Sequence, residues 1–182
     1  ATGEQPELIG TYEFETWQPK RAATKDEDSS PVMKNYAPDA LWGSDNEDGI
    51  PLLDINMQAQ SIDAPIFKWG YYGRRVKAGT THFYTEDYKF ESLWKDPSGV
   101  LLSETINAVE PNFSTNIQMP RALAVYQVYR KRWIARWWQS QGVRIFVDMN
   151  IERPFLEFNM QGVPKGWTAY FTRSIESVSY TH

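Results

Sequence analysis

Hydrophobic and polar positions alternate most clearly in the carboxy-terminal two thirds of the chain. Ala108-Val109 reads as a short strand leading into Glu110-Pro-Asn-Phe-Ser114. Pro120 then suits the first turn of a helix, and Arg121 to Gln141 is the longest helical stretch, closed by Gly142. Val143-Arg-Ile-Phe-Val-Asp148 is a β-branched strand. Pro154 to Gln161 predicts a short helix ended by Gly162-Val-Pro164, and Trp167-Thr-Ala-Tyr-Phe-Thr172 predicts another strand. Upstream, Thr80-Thr-His-Phe-Tyr84 is strand-like. Thr85 followed by Glu86 and Asp87 opens a helix that runs through Phe90 and Trp94 until Pro97 stops it. Strands alternating with helices imply parallel crossovers. The fold class expected is α/β, a partial parallel sheet or an incomplete β/α barrel-like core.

Residues 1–63 lack this rhythm and are expected to form an acidic, largely irregular extension packed on an α/β domain over residues 64–182. Thr11-Tyr-Glu-Phe-Glu-Thr-Trp17 alternates as a short strand would, Lys25-Asp-Glu-Asp28 is a charged cluster, and Ser44-Asp-Asn-Glu-Asp-Gly49 is an acidic turn without calcium-loop spacing. Tyr12, Phe14, Trp17, Tyr36 and Trp42 give the extension apolar anchors.

On a helical wheel for 121–141, Ala122, Tyr126, Tyr129, Trp133 and Trp137 share one arc with Leu123 and Ile134 beside it, which is the expected core face. Arg121, Arg132, Arg136 and Gln139 fall on the opposite, solvent or ligand side. Arg130 projects from the apolar arc, where a guanidinium needs a carboxylate or carbonyls. It is either an ion-pair anchor or part of a site.

Composition narrows the chemistry. The 182 residues contain no cysteine, which excludes a disulfide framework, a thiol nucleophile and thiolate metal sites. His82 and His182 are the only histidines, so no histidine-based metal centre is expected. No phosphate loop, dinucleotide fingerprint, nucleophile elbow or metalloprotease motif occurs, and no cofactor is expected. No apolar run approaches the roughly 20 residues of a membrane span and no signal-peptide pattern opens the chain, so a cytoplasmic setting without a membrane partner is expected.

Charge adds a candidate partner. The net −4 combines −9 in residues 1–63 with +5 in residues 64–182. From Pro111 to Val147 the chain carries Arg121, Arg130, Lys131, Arg132, Arg136 and Arg144 and no acid. A polyanion, above all nucleic acid, suits such a stretch unless carboxylates from elsewhere neutralise it in the fold. Phe67-Lys-Trp-Gly-Tyr-Tyr-Gly-Arg-Arg-Val-Lys77 interleaves aromatics, glycines and cations. It is either a base-stacking, phosphate-contacting loop using Trp69, Tyr71, Tyr72, Arg74, Arg75 and Lys77, or a pair of turns between strands.

Ligands of open α/β sheets gather at the carboxyl ends of the strands. Those ends would carry Glu110, Asn112, Ser114, Asp148, Asn150 and Arg173, with His82 and Arg130 as further candidates. Glu110 and Asp148, on adjacent strands, would form a carboxylate pair able to hold Mg²⁺ or share a proton. His82 is either an imidazole general base or a hydrogen-bonded structural residue.

His82-Phe-Tyr-Thr-Glu-Asp-Tyr-Lys-Phe-Glu-Ser-Leu-Trp94, Pro111-Asn-Phe-Ser114, Met119-Pro120, Gln127, Arg130, Trp138-Gln-Ser-Gln-Gly142, Phe158 and Gly162-Val-Pro164 form an ordered series. Across about residues 65–175 it resembles a prokaryotic family of unknown function found on phages, plasmids and integrated elements. That family usually has Asp where this chain has Asn112, often has Tyr-Trp at Trp137-Trp138, and tends to continue with further β/α units. The resemblance implies a mobile-element setting and no particular reaction. Three functions are therefore open: a nucleic-acid-associated accessory protein of a phage or mobile element, an enzyme with its site at the strand ends, or an assembly component of a virion or complex with a protein partner or as a homo-oligomer.

Overall fold

The computed structural model describes residues 42–70 and 78–173. Tyr12, Phe14, Trp17, Tyr36, the Lys25–Asp28 cluster and the loop residues Tyr71, Tyr72, Arg74, Arg75 and Lys77 lie outside the described residues.

Among the described residues, five strands make one sheet: β1 (Ile66–Lys68), β2 (Thr80–His82), β3 (Asn107–Val109), β4 (Arg144–Asp148) and β5 (Tyr170–Phe171). Their spatial order equals their order in the chain, and all four pairings are parallel. The fold class is α/β, with the sequential strand order that β/α barrels also use. Each parallel neighbour requires a crossover. Between β3 and β4 this is α1 (Arg121–Ser140), and between β4 and β5 it is a 3₁₀ turn at Arg153–Phe155 running into α2 (Leu156–Asn159).

Between β2 and β3 the chain makes three 3₁₀ segments, Asp87–Lys89, Glu91–Trp94 and Pro97–Ser103, in place of the single helix expected there. Phe90 breaks the first run, with ψ near 2°, and buries its ring against Phe113 and Phe83. Pro97 starts an element instead of ending one: Asp96 caps it by accepting from Ser98 N at 3.1 Å, and proline's missing N–H costs nothing in a first turn.

The buried stripe of α1 is Ala124, Val128, Lys131, Ala135 and Trp138, spaced four, three, four and three residues apart. This corrects the wheel: Ala122 is exposed, as are Leu123 and Tyr126 (52% and 45%), whereas Arg132 and Gln139, assigned to solvent, are buried. The helix is covered on two sides. The sheet lies under the Val128–Ala135 stripe, and the 3₁₀ segments pack against Trp133, whose ring meets Trp94 edge-on at 5.8 Å. Trp138 stacks on Phe83 at 5.4 Å and donates from Nε1 to Pro97 O at 2.9 Å. Burying side chains of this size contributes about 1.5–3 kcal/mol each.

Residues 50–59 reach both hydrophobic clusters, Leu53 and Ala59 the main one and Ile50 a second with Ala124, Val128, Phe155 and Phe158. Ile50, Leu53 and Ala59 are buried, Ala59 N donates to Ile145 O at 2.9 Å, and the Gln139 side chain bonds both Asp54 N (2.9 Å) and Asp54 O (3.0 Å). Gly162, at φ +74°, closes this seam: a Cβ there would lie 2.1 Å from Pro51 O, so only glycine fits.

Candidate ligand cleft at the strand ends

All five strand ends contribute to one cleft. Lys68 ends β1, Tyr84, Thr85 and Glu86 follow β2, Asn112 and Ser114 follow β3, Asn150 follows β4, and Arg173 follows β5; together they line about 460 Å³. In a flat sheet the outer strands would stand four spacings apart, about 19 Å. Lys68 and Arg173, the two longest side chains of the lining, reach the common cavity from those edges.

Beneath the cleft lies a buried ionic floor. Glu110 and Asp148 sit at the ends of neighbouring strands, both fully buried. Arg132 Nε donates to Glu110 Oε2 at 2.7 Å, and Lys131 Nζ reaches Asp148 Oδ2 at 3.3 Å. Glu110 Oε1 also accepts from Asp148 N at 3.1 Å, and Arg132 continues to Asn159 O at 2.7 Å and to Gln161 O. Two carboxylates thus meet two cations with their remaining hydrogen-bonding positions largely filled, the condition under which buried charge is tolerated. Glu110 and Asp148, read from the sequence as a candidate pair, are joined through the Asp148 N–H. The cation such a pair would attract is already supplied by Arg132 and Lys131, and among the described residues no group of three or more His, Asp or Glu side chains is placed to hold a metal ion.

Tyr84 links floor to cleft. Its hydroxyl donates to Asp148 Oδ1 at 2.9 Å, and its ring lies between His82 (5.5 Å) and Phe171 (6.1 Å). Burial, with Asp148 beside it, pushes the phenol far above its usual pKa, so Tyr84 remains neutral and offers an oxygen acceptor. Burial also raises Asp148, against the opposing pull of Lys131. Asp148 Oδ1 further accepts from Asn150 N at 3.0 Å. With its amide nitrogen turned to the carboxylate, Asn112 donates to Asp148 Oδ2 and to Asn150 O, both at 3.2 Å, and accepts from Asn150 Nδ2 at 2.7 Å. An aspartate at 112 would put a third carboxylate against Asp148.

The other expected site residues have partners of their own. Ser114 is tied to Asp87, donating its hydroxyl (2.7 Å) and its N–H (2.9 Å). His82 stands beside Tyr84 with Nδ1 accepting from Tyr84 N at 3.3 Å, and burial followed by the charge of Lys68 lowers its pKa. Arg130 is the ion-pair anchor, joined to Glu91 and Gln127 with its guanidinium 3.9 Å from the Phe113 ring centre. Arg132 is corrected from the solvent side to the floor. Trp69 donates to Lys89 O at 3.1 Å and leans on Phe83 at 5.8 Å. Arg144 donates to the carbonyls of Asn56 (3.1 Å) and Gln58 (3.2 Å). Only Arg121, over Phe158 at 5.0 Å, and half-buried Arg136, over Trp42 at 4.5 Å, keep a share of the outer surface of α1.

Sequence reasoning passed over Lys68, Tyr84 and Lys131. The strand-end rule would have delivered Lys68 had Ile66–Lys68 been read as a strand, and Tyr84 closes the Thr80–Tyr84 segment already marked as strand-like. Lys131 required knowing that α1 lies over Asp148.

Fold and site together define a parallel α/β domain with a polar cleft at its strand ends. The chain belongs to the family described as Domain of unknown function (DUF4417), whose model matches residues 43–179. It is 38% identical over 96 residues to the Gene 1 protein of Mycobacterium phage D29, a match covering 51% of this chain and 36% of that protein. It is 34% identical over 93 residues to the Gene 1 protein of Mycobacterium phage L5, covering 50% of this chain and 41% of that protein. The aligned part is thus well under half the length of either relative. No solved structure matches the chain. Among the described residues, no helix is long and apolar enough to cross a membrane.

Proposed function

We propose that this chain serves a phage or other mobile element by binding a small polar molecule in the strand-end cleft, with Tyr84, Asn112 and Asn150 orienting it above the Asp148–Lys131 pair. One observation carries this reading: five separate strand ends deliver polar side chains to a single concavity, the place where open parallel sheets hold ligands. The volume falls within the roughly 300–1,000 Å³ of small-molecule sites. The nucleic-acid reading, by contrast, loses its main support on α1, because Glu91, Glu110 and Asp148 engage Arg130, Arg132 and Lys131.

Equilibrium dialysis against a defined panel of nucleotides, sugar phosphates, amino acids and dicarboxylates, read by mass spectrometry, tests the proposal. Asn150→Phe fills the cleft while keeping the main-chain N–H that Asp148 accepts. Retention of a panel member by the parent protein and its loss in Asn150→Phe is the expected result. Equal retention by both, or no retention at millimolar concentration, contradicts it.

A further inference from the structure

We infer that the cleft grips a phosphate monoester group between Lys68 and Arg173, an assignment that rests on the cleft being the ligand site. Among the described residues these are the two cations that line it, and both are exposed. Neither forms an ion pair among the described residues, unlike Arg130, Lys131 and Arg132. The acids that could answer them are committed elsewhere. Glu86, on the same wall, is held by Lys89 at 2.8 Å and by the Thr85 hydroxyl at 2.7 Å, which push its carboxyl down to about 2. Asp148 is satisfied by Lys131, Tyr84 and the Asn150 N–H. The Ser114 hydroxyl donates to Asp87.

Among the described residues the cleft therefore carries two positive charges without an ion-pair partner, brought from the two edge strands of the sheet. A monoester dianion supplies two charges and oxygens pointing in several directions, whereas one carboxylate supplies one charge and a planar face that a single arginine fork already fills. At the inner wall the Tyr84 oxygen, whose O–H donates to Asp148, accepts a hydrogen bond from the body of the ligand. An anionic group at the mouth and a donor group within is the ligand pattern this lining fits.

Calorimetric titration of the full chain with ribose 5-phosphate and adenosine 5′-monophosphate, with ribose and succinate as controls, tests this on the parent, Lys68→Ala and Arg173→Ala proteins. Both positions are exposed, so unchanged thermal unfolding is expected of the variants. The expected result is saturable binding of at least one phosphate ester, weaker or absent binding of ribose and succinate, and a loss of about tenfold in each variant, the scale of one charge-assisted contact. Preference between the two esters identifies a sugar phosphate or a nucleotide as the source. Binding of succinate or ribose as tight as that of the esters, or binding indifferent to both substitutions, overturns the phosphate assignment while leaving the cleft as a site. Absence of binding by every probe, with a panel compound still retained in the cleft, also overturns it; failure of the panel as well removes the cleft reading itself.

Discussion

His82 and Tyr84 flank Phe83 along the chain, and alternation divides their tasks: Phe83 enters the core, Tyr84 lines the cleft, and His82 stands beside the Tyr84 ring. His82 is half-buried with Lys68 as its register partner on β1, and burial first, then that ammonium, disfavours its imidazolium. The folded-state pKa therefore lies below the unfolded 6.5. The unfolded chain takes up this proton first as pH falls, so the stability linked to His82 is full above 6.5 and is lost on descent through the folded-state value. An NMR titration of the ring is expected to give a pKa under 6.5 that moves upward in Lys68→Ala without reaching it, because burial is the larger cause. A value at or above 6.5 in the parent protein contradicts this placement. At this scale the sequence already indicated Glu110, Asn112, Asp148, Asn150 and Arg173 as strand-end residues. Whether a charge is consumed by the fold was not legible, because the partners of Arg130, Lys131 and Arg132 lie 39, 17 and 22 residues away in the chain.

Among the elements, α1 shows what a hydrophobicity wheel misses. Its expected span, 121–141, agrees with Arg121–Ser140, and the alternation of strands and helices already pointed to parallel crossovers. The buried face could not be read because a polar residue is buried when its neighbour compensates it. Arg132 joins α1 to the end of β3 through Glu110 and to the carbonyls at the end of α2, positions that a short helix leaves without internal partners. Glu110→Leu or Arg132→Met alone strands its partner's charge and is expected to cost about 3–5 kcal/mol in urea unfolding. The double variant is expected to be more stable than either single one, giving a strongly coupled cycle. Additive losses would mean that the two side chains act independently. The 3₁₀ segments between β2 and β3 were illegible for a related reason: Phe90 and Trp94 have helical spacing, but burying the Phe90 ring against Phe83 and Phe113 overrides it.

For the molecule as a whole, charge read along the chain and charge arranged in space point to different functions. An acid-free run of six cations suggests a polyanion surface, yet three of the six meet Glu91, Glu110 and Asp148 supplied from outside the run, and Arg144 binds main-chain carbonyls. Among the described residues the cations left facing the cleft are Lys68 and Arg173, at the two edges of the sheet. Residue-resolved amide NMR of the full chain, titrated in parallel with adenosine 5′-monophosphate and with a single-stranded oligonucleotide at low salt, separates the two functions most directly. Shifts produced by the monophosphate at Lys68, Tyr84, Asn112, Asn150 and Arg173, with weaker changes along Arg121–Arg136 on adding the oligonucleotide, are the predicted result. Saturating oligonucleotide shifts along Arg121–Arg136, with the cleft amides silent to both ligands, would contradict it.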